Sequence, residues 1–470
     1  MSQRLSNRSL AGSGLLIATL MATTPALASA ERLEAELRAL FAQGGELSIG
    51  DVSDAMLRSR YTVEDIVFDS VEGERLRIGS YVVDGDYDQP ERVTLQDIRV
   101  EDRLTELALL QIEEIVLNEP SRAVFPLHEA MEGQDFQLGG LTIDQIVVDL
   151  DSDLAEEFLR DAGVKRGRGR LDIERLYGES LSADAIGLLE INGLAATGED
   201  LEEFGSGSLT LDSLRMEQLS GLENPEEGQL NLLVMENFAI DSDRLVGRLD
   251  ELRIDGDLAD GEGGMWLEAF EVDLERMIAN APAKERTQLR MASNLLTGGS
   301  GTLKLDAGFN GRWEQHNDHS TLGGDSRITL HDAMQLAFGV NLPVVLPENT
   351  QPMDVFHDAS LLDAATLLGG DLSLTLSDRG LFGRLVTVGA ALEGITEAQL
   401  LEQVRTQAQG FGMMMGPEVQ QVLSGFVALL EGSASELEIN ATLPSQSNLK
   451  TYTDDPLGLP GQLSLQVETR

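Results

Sequence analysis

One eight-residue cadence returns along the chain and restricts what it can fold into. With Φ for an apolar residue, it reads Φ-x-Φ-acid/Gln-x-Φ-x-Φ. It fits Tyr61 to Phe68 (YTVEDIVF), Val93 to Val100 (VTLQDIRV), Leu110 to Leu117 (LQIEEIVL) and Leu141 to Val148 (LTIDQIVV). It returns at Leu209 to Met216 (LTLDSLRM), Leu233 to Ile240 (LVMENFAI) and Met265 to Val272 (MWLEAFEV). Weaker copies are LDIERLYG (171–178), LSADAIGL (181–188) and GRLDELRI (247–254). On a helix these four apolar positions scatter around the cylinder and form no stripe. A β-strand accommodates them if one extra residue, a bulge, sits between the two apolar pairs and restores their common side. The other possibility is two short strands and a tight turn, for which D-Q, D-S and E-A are poor turn pairs. The bulged strand predicts one apolar face carrying Val63 and Ile66, Leu95 and Ile98, Ile112 and Ile115, and Ile143 and Ile146. The same face continues through Leu211 and Leu214, Met235 and Phe238, and Leu267 and Phe270.

Several intervals between copies are too short for a crossover helix, which predicts antiparallel neighbours. The expected fold class is mainly β with α: a long twisted antiparallel sheet of bulged amphipathic strands, partly covered by helices. Candidate covers are ERLEAELRALFAQGG (31–45), SDLAEEFLRDAG (152–163) and a segment over 273–299 broken at Pro282. In the C-terminal region, 301–309, 326–332, 371–378, 434–444 and 462–469 read as strands. DVFHDASLLDAATLLGG (354–370) reads as a helix, as do 380–394, a segment opened by Thr396 with Gln399 at capping-box spacing, and one beginning at Pro417. The expected divisions are a signal peptide over 1–30, a helical segment over 31–60, the repeated-strand sheet over 61–275, a helical connector over 276–300 and an α+β region over 301–470.

Arg4 and Arg8, the apolar run GLLIATLMA (14–22) and Ala28-Ser29-Ala30 form the signature of an export signal with a cleavage site. This implies a periplasmic protein; the alternative is an inner-membrane anchor facing the periplasm. The chain has no cysteine, so stability rests on burial and backbone pairing. Acids outnumber bases 81 to 34, a net charge of −47, and lysine occurs only at 165, 284, 304 and 450. Such a surface repels nucleic acid and anionic membrane, so neither is an expected partner, and it suits a salt-adapted bacterium.

The "L-x-L-x-x-L-x-L" cadence over about residues 60–275 resembles the AsmA-like and YdgA-like exported bacterial proteins. Over 370–470, a strand, "DRGL" (378–381), helices and a strand extend the resemblance. It implies an export segment and a trough that shelters lipid acyl chains, and it transfers no functional residue.

Catalytic signatures are lacking: no thiol, no G-x-S-x-G elbow and no phosphate-binding glycine loop. No cofactor is expected. His316, His319 and Asp318, with His331 or His357, could hold a metal, but a polar hairpin explains them more simply. DGDYDQ (84–89) and DLDSDLAEE (149–157) alternate acids as calcium loops do, without the required glycine and terminal glutamate. VKRGRGR (164–170) could grip a phosphate or be a solvated loop. GFGMMMGPEV (410–419) offers an adaptable apolar surface or, more commonly, a packed helix junction. The expected function is a non-enzymatic envelope protein binding lipid or another apolar ligand on the sheet face. A structural or protein-interaction module of the envelope is the second expectation, and an unrecognised hydrolase the third.

Overall fold

The computed structural model describes residues 29–470 except 43, 56–58, 125–136, 152–167, 202–204, 223, 225–227, 258–260, 348–349, 351–354, 356–358, 449 and 451–462. Arg4, Arg8, the apolar run 14–22 and Ala28 of the export signature, the segment 152–163 and His357 therefore lie outside the described residues, whereas Ser29 and Ala30 open the first helix. The fold is mainly β, a long antiparallel sheet partly covered by helices. The chain packs as two units, one of residues 1–161 and 175–183, the other of residues 162–174 and 184–470.

In the first unit, α1 (Ser29–Leu40) precedes β1 (Gly45–Ser48) and β2 (Val52–Ala55), which both pair with β3 (Arg60–Ser70). An antiparallel meander then runs through β4 (Glu74–Asp86), β5 (Gln89–Asp102), β6 (Ala108–Pro120) and β7 (Gln137–Asp149). Strand β8 (Arg168–Ser182) contributes residues to both units. The weak copy at 181–188 is no strand repeat: β8 stops at Ser182 and β9 starts at Ala185, so a turn at 183–184 interrupts it.

In the second unit an antiparallel meander runs through β9 (Ala185–Leu201), β10 (Gly205–Ser220), β11 (Gln229–Ser242), β12 (Val246–Asp255) and β13 (Glu262–Asp273). Helices α2 (Leu274–Asn280) and α3 (Arg286–Thr297) are broken around Pro282, as its missing amide donor requires. Strands β14 (Thr302–Gln315), β15 (Ser320–Leu330) and β16 (Met334–Val345) follow, with β17 (Thr366–Leu367) and β18 (Gly370–Asp378) both paired to β16. Helices α4 (Leu381–Glu393), α5 (Glu397–Met415) and α6 (Pro417–Leu430) lead to β19 (Glu436–Leu443) and β20 (Ser464–Thr469). Thr396 and Gln399 form the expected capping box. The helix expected over 354–370 is corrected. Its described residues form a 3-10 turn, Ala359–Ala364, then β17, because Leu367 is drawn into a core with Trp313, Leu342 and Val344.

The expected parity change is present, though not as a one-sided bulge. At the centre of each copy in β3 to β7, both paired strands carry the extra residue at the same level, so the register never slips: Glu64 faces Ser80, and two residues on, Ile66 faces Ile78. Its fifth place adopts left-handed backbone at Asp65, Asp97, Gln145, Asn237 and Ala269, with φ between 50° and 55°, on β3, β5, β7, β11 and β13. Gly193 does the same on β9. Asp and Asn tolerate this region best among residues with a Cβ, which gives the polar centre of the cadence a backbone reason. A bulge with two residues opposite one occurs at β13–β14, where Leu267 and Phe270 face Ala307 and Leu305; there Asp306 Oδ1 accepts from the Ala269 amide at 2.7 Å.

Candidate functional site: the apolar face and its polar reverse

Because every second strand reverses direction and both partners in each pair from β3 to β7 and from β9 to β13 carry the extra residue at one level, the apolar positions line up as rows crossing the sheet. In the first unit, Val63, Tyr81, Leu95, Ile115 and Ile143 face one another in turn. Ile98, Ile112 and Ile146 form a parallel row. In the second unit one row is Leu194, Leu211, Phe238 and Leu249, and the other is Ile191, Leu214, Met235, Leu252 and Leu267. Phe270 lies beyond the extra residue on β13, opposite Leu305.

The two units treat these rows differently. In the first, α1 lays Leu33 and Leu37 into a cluster with Val63, Ile66, Leu95 and Ile98, against which Ile112 and Ile115 pack. Tyr81 donates from its hydroxyl to the Ala123 carbonyl at 2.7 Å, satisfying its buried polar end. Tyr87 donates to Glu36 at 2.9 Å beneath the Arg32 guanidinium; burial, then that hydrogen bond, push its phenol well above the usual range. Ile143 and Ile146 are half-buried.

In the second unit only Leu211 and Leu249 of the paired rows are buried. Leu214, Met235, Phe238, Leu267 and Phe270 remain half-buried. Helix α6 closes the face over Leu376 and Leu437, and the segment around Val355 and Leu367 closes it over Leu342 and Val344. Between these covers, Met265, Phe309 and Phe338 belong to one row across β13 to β16 and are 40%, 38% and 42% exposed. The apolar face is thus open there.

The reverse face carries a transverse polar row at each extra residue. Glu64, Ser80, Gln96, Glu114 and Asp144 align in the first unit, tied by Ser80 to Gln96 at 3.1 Å, Gln96 to Glu114 at 2.8 Å, and Arg175 to Asp144 at 2.6 Å. Asn192, Ser213, Glu236, Glu251 and Glu268 align in the second. On the adjoining β12 to β14, Arg248 and then Lys304 hold the Glu271 carboxyl below its usual range.

The other candidates resolve into local structure. His316 and His319 close the β14–β15 hairpin, where the His316 amide donates to the His319 carbonyl at 2.9 Å and His319 Nδ1 meets Asp318 at 2.8 Å. That contact holds the Asp318 carboxyl below its usual range. His331 bonds Asp306 instead of joining them. No three His, Cys, Asp or Glu side chains among the described residues converge as metal ligands would. Asp84 pairs with Arg60 and Asp88 with Arg32, so the acids of DGDYDQ serve a hairpin. Of the basic cluster, Arg170 pairs with Asp172, while residues 164–167 lie outside the described set. The methionine segment is not a packed junction: Phe411, Met413 and Met414 are exposed at the end of α5, and only Gly412 is turned inward, against Gln420.

Sequence reasoning overlooked β4 and β9 as members of the rows. LRIGSYVV (76–83) and LEINGLAA (189–196) keep the apolar spacing, but their centres are Gly-Ser and Asn-Gly instead of an acid. The apolar positions alone would have found them.

Fold and site together define a class: an open antiparallel sheet with flanking helices, apolar on one side and polar on the other. No helix among the described residues is long and apolar enough to cross a membrane. A family described as an uncharacterized protein matches residues 327–470. No curated protein matches the chain.

Proposed function

We propose that this is an exported, non-enzymatic envelope protein that binds a lipid or another apolar chain on the open face of its second unit. The observation that carries the reading is the exposed row Met265, Phe309 and Phe338 between two covered ends of one face. Solvated apolar side chains in such a row, interrupted only by Ser326 between Phe309 and Phe338, gain about 25 cal/mol for each Å² an acyl chain removes from water. Methionine and phenylalanine accept varied apolar shapes, which suits a flexible chain better than a rigid ligand. The AsmA-like resemblance points the same way through its implied acyl-chain trough, and the matching uncharacterized family adds nothing to it. Native mass spectrometry and lipid extraction of the protein purified from its host test the reading. Co-purified lipid that is lost in Phe338→Asp supports it; lipid-free protein that also fails to take up a fluorescent fatty acid refutes it.

The exposed Phe411, Met413 and Met414 favour a second reading, an interaction module for another envelope protein. A stoichiometric partner released by Met414→Asp, with no lipid retained, would select it.

A further inference from the structure

The polar face of the second unit holds a basin of about 830 Å³ that the lipid reading leaves unused. Trp266 forms one side, and its indole lies down on the sheet. Its Cη2 is 2.9 Å from where a Cβ on Gly264 would stand, and its Cδ1 is 3.2 Å from where one on Gly308 would stand. Two glycines thus clear the ground for a ring laid flat, and a flat ring on an open sheet presents a π-face to whatever occupies the basin. The cross-strand row from Trp266 runs through Gly308, Arg327, Ala337 and Thr375. The neighbours flanking Arg327 are therefore a glycine and an alanine, in a face that elsewhere carries acids and long side chains. Gly339 extends this low floor, with Ser373 leaning over it.

The polar groups around the floor are held in place. Asp306 accepts from the Ala269 amide at 2.7 Å through one oxygen and meets His331 Nε2 at 2.5 Å through the other. Asp325 accepts no close bond from Arg312, whose nearest nitrogen is 3.7 Å away, and its carboxylate stays largely exposed. The Arg327 guanidinium makes no hydrogen bond or ion pair with any described residue, whereas those of Arg248 and Arg253 are each paired closely to an acid. The lining therefore offers a π-face, a free guanidinium, carboxylate acceptors and the hydroxyls of Ser373 and Thr375.

We infer that this basin binds a neutral or amino-bearing saccharide. A pyranose has one face of C–H groups, which rests on an indole, and an equator of hydroxyls, which pair with carboxylates, guanidinium and side-chain hydroxyls. The lining excludes the main competitors on charge and polarity. Asp250, Glu268, Asp306 and Asp325 oppose one arginine, so a phosphorylated ligand meets net repulsion. An acyl chain would have to strip water from all of these groups without replacing their hydrogen bonds. This inference is independent of the lipid proposal, since it concerns the opposite face and other residues.

Saturation-transfer NMR on the full chain, with cellotetraose and with the tetramer of N-acetylglucosamine as probes, tests it. Saturable binding at about millimolar affinity is expected for at least one of them. Trp266→Ala should weaken it at least tenfold, Trp266→Phe should restore part of it, and Gly308→Val should weaken it by displacing the indole, with circular dichroism of each variant unchanged. No saturable transfer to either saccharide from the wild-type chain overturns the inference. So does binding that Trp266→Ala leaves intact, or binding restricted to sugar phosphates.

Discussion

Deleting Asp97 would separate the role of the extra residue from that of its side chain. Asp97 is exposed, has φ +54°, and its carboxylate makes no hydrogen bond or ion pair with any described residue, so its removal costs only the packing of a small side chain over Gly79. It does reverse the parity of half a strand. Either Val93 and Leu95, which are 0% and 7% exposed, or Ile98 and Val100 must turn to the polar face. At about 1.5–3 kcal/mol per buried aliphatic side chain, the loss is about 3–6 kcal/mol. That is a large share of the roughly 5–15 kcal/mol by which folded domains are stable. Asp97→Gly should lie within about 1 kcal/mol of wild type, because relief of left-handed backbone strain offsets the added chain entropy. Asp97→Val should cost about 1–2 kcal/mol, since a β-branched side chain resists positive φ. Hydrogen exchange of the β4–β6 peptides reports this locally, and urea unfolding reports it globally. A deletion no more destabilising than Asp97→Val would refute the idea that the extra residue sets which side the chain buries.

Two further outcomes follow from the first unit. Leu37→Ala, at a position 1% exposed under α1, should cost about 2–5 kcal/mol and speed exchange in α1 and β3; a loss below about 1 kcal/mol would show that the helix is not the cover it resembles. The Asp102 carboxylate accepts from the Thr105 amide and hydroxyl and the Leu104 amide, which hold it below its ordinary 3.8. A carboxyl depressed in the folded state stabilises above its unfolded value, and that contribution disappears as pH falls below 3.8 through the folded value. Asp102→Asn should therefore lower the melting temperature at pH 7 and flatten its decline below pH 3.8; identical pH profiles for the two proteins would contradict this.

The sheet and its parity change were legible because a period of two with one interruption leaves an imprint that no helix shares. The helices were legible from breakers and caps: Pro282 interrupts one, and Thr396 with Gln399 opens another. Segment 354–370 misled because its apolar spacing suits a helix as well as a buried turn, and burial of Leu367 among Trp313 and Val344 decides only in three dimensions. Whether the face is covered was not legible. Leu214 and Ile66 occupy the same place in the cadence, yet Ile66 is buried in the α1-covered cluster and Leu214 is half-exposed without such a cover. The saccharide basin was invisible for a related reason. Trp266 and Gly308 are 42 positions apart, and only strand register makes them neighbours.

The alternation of left-handed residues makes the hairpin, not the strand, the smallest interchangeable piece of this sheet. Excising β11 and β12 together would bring β10 against β13 in the same antiparallel sense, with a strand that lacks a left-handed residue at the centre of its cadence again meeting one that has it there. Excising either alone would set two strands of one direction side by side. Such a sheet can grow or shrink by pairs of strands without disturbing the packing on either side, so its width is free to change in steps of two.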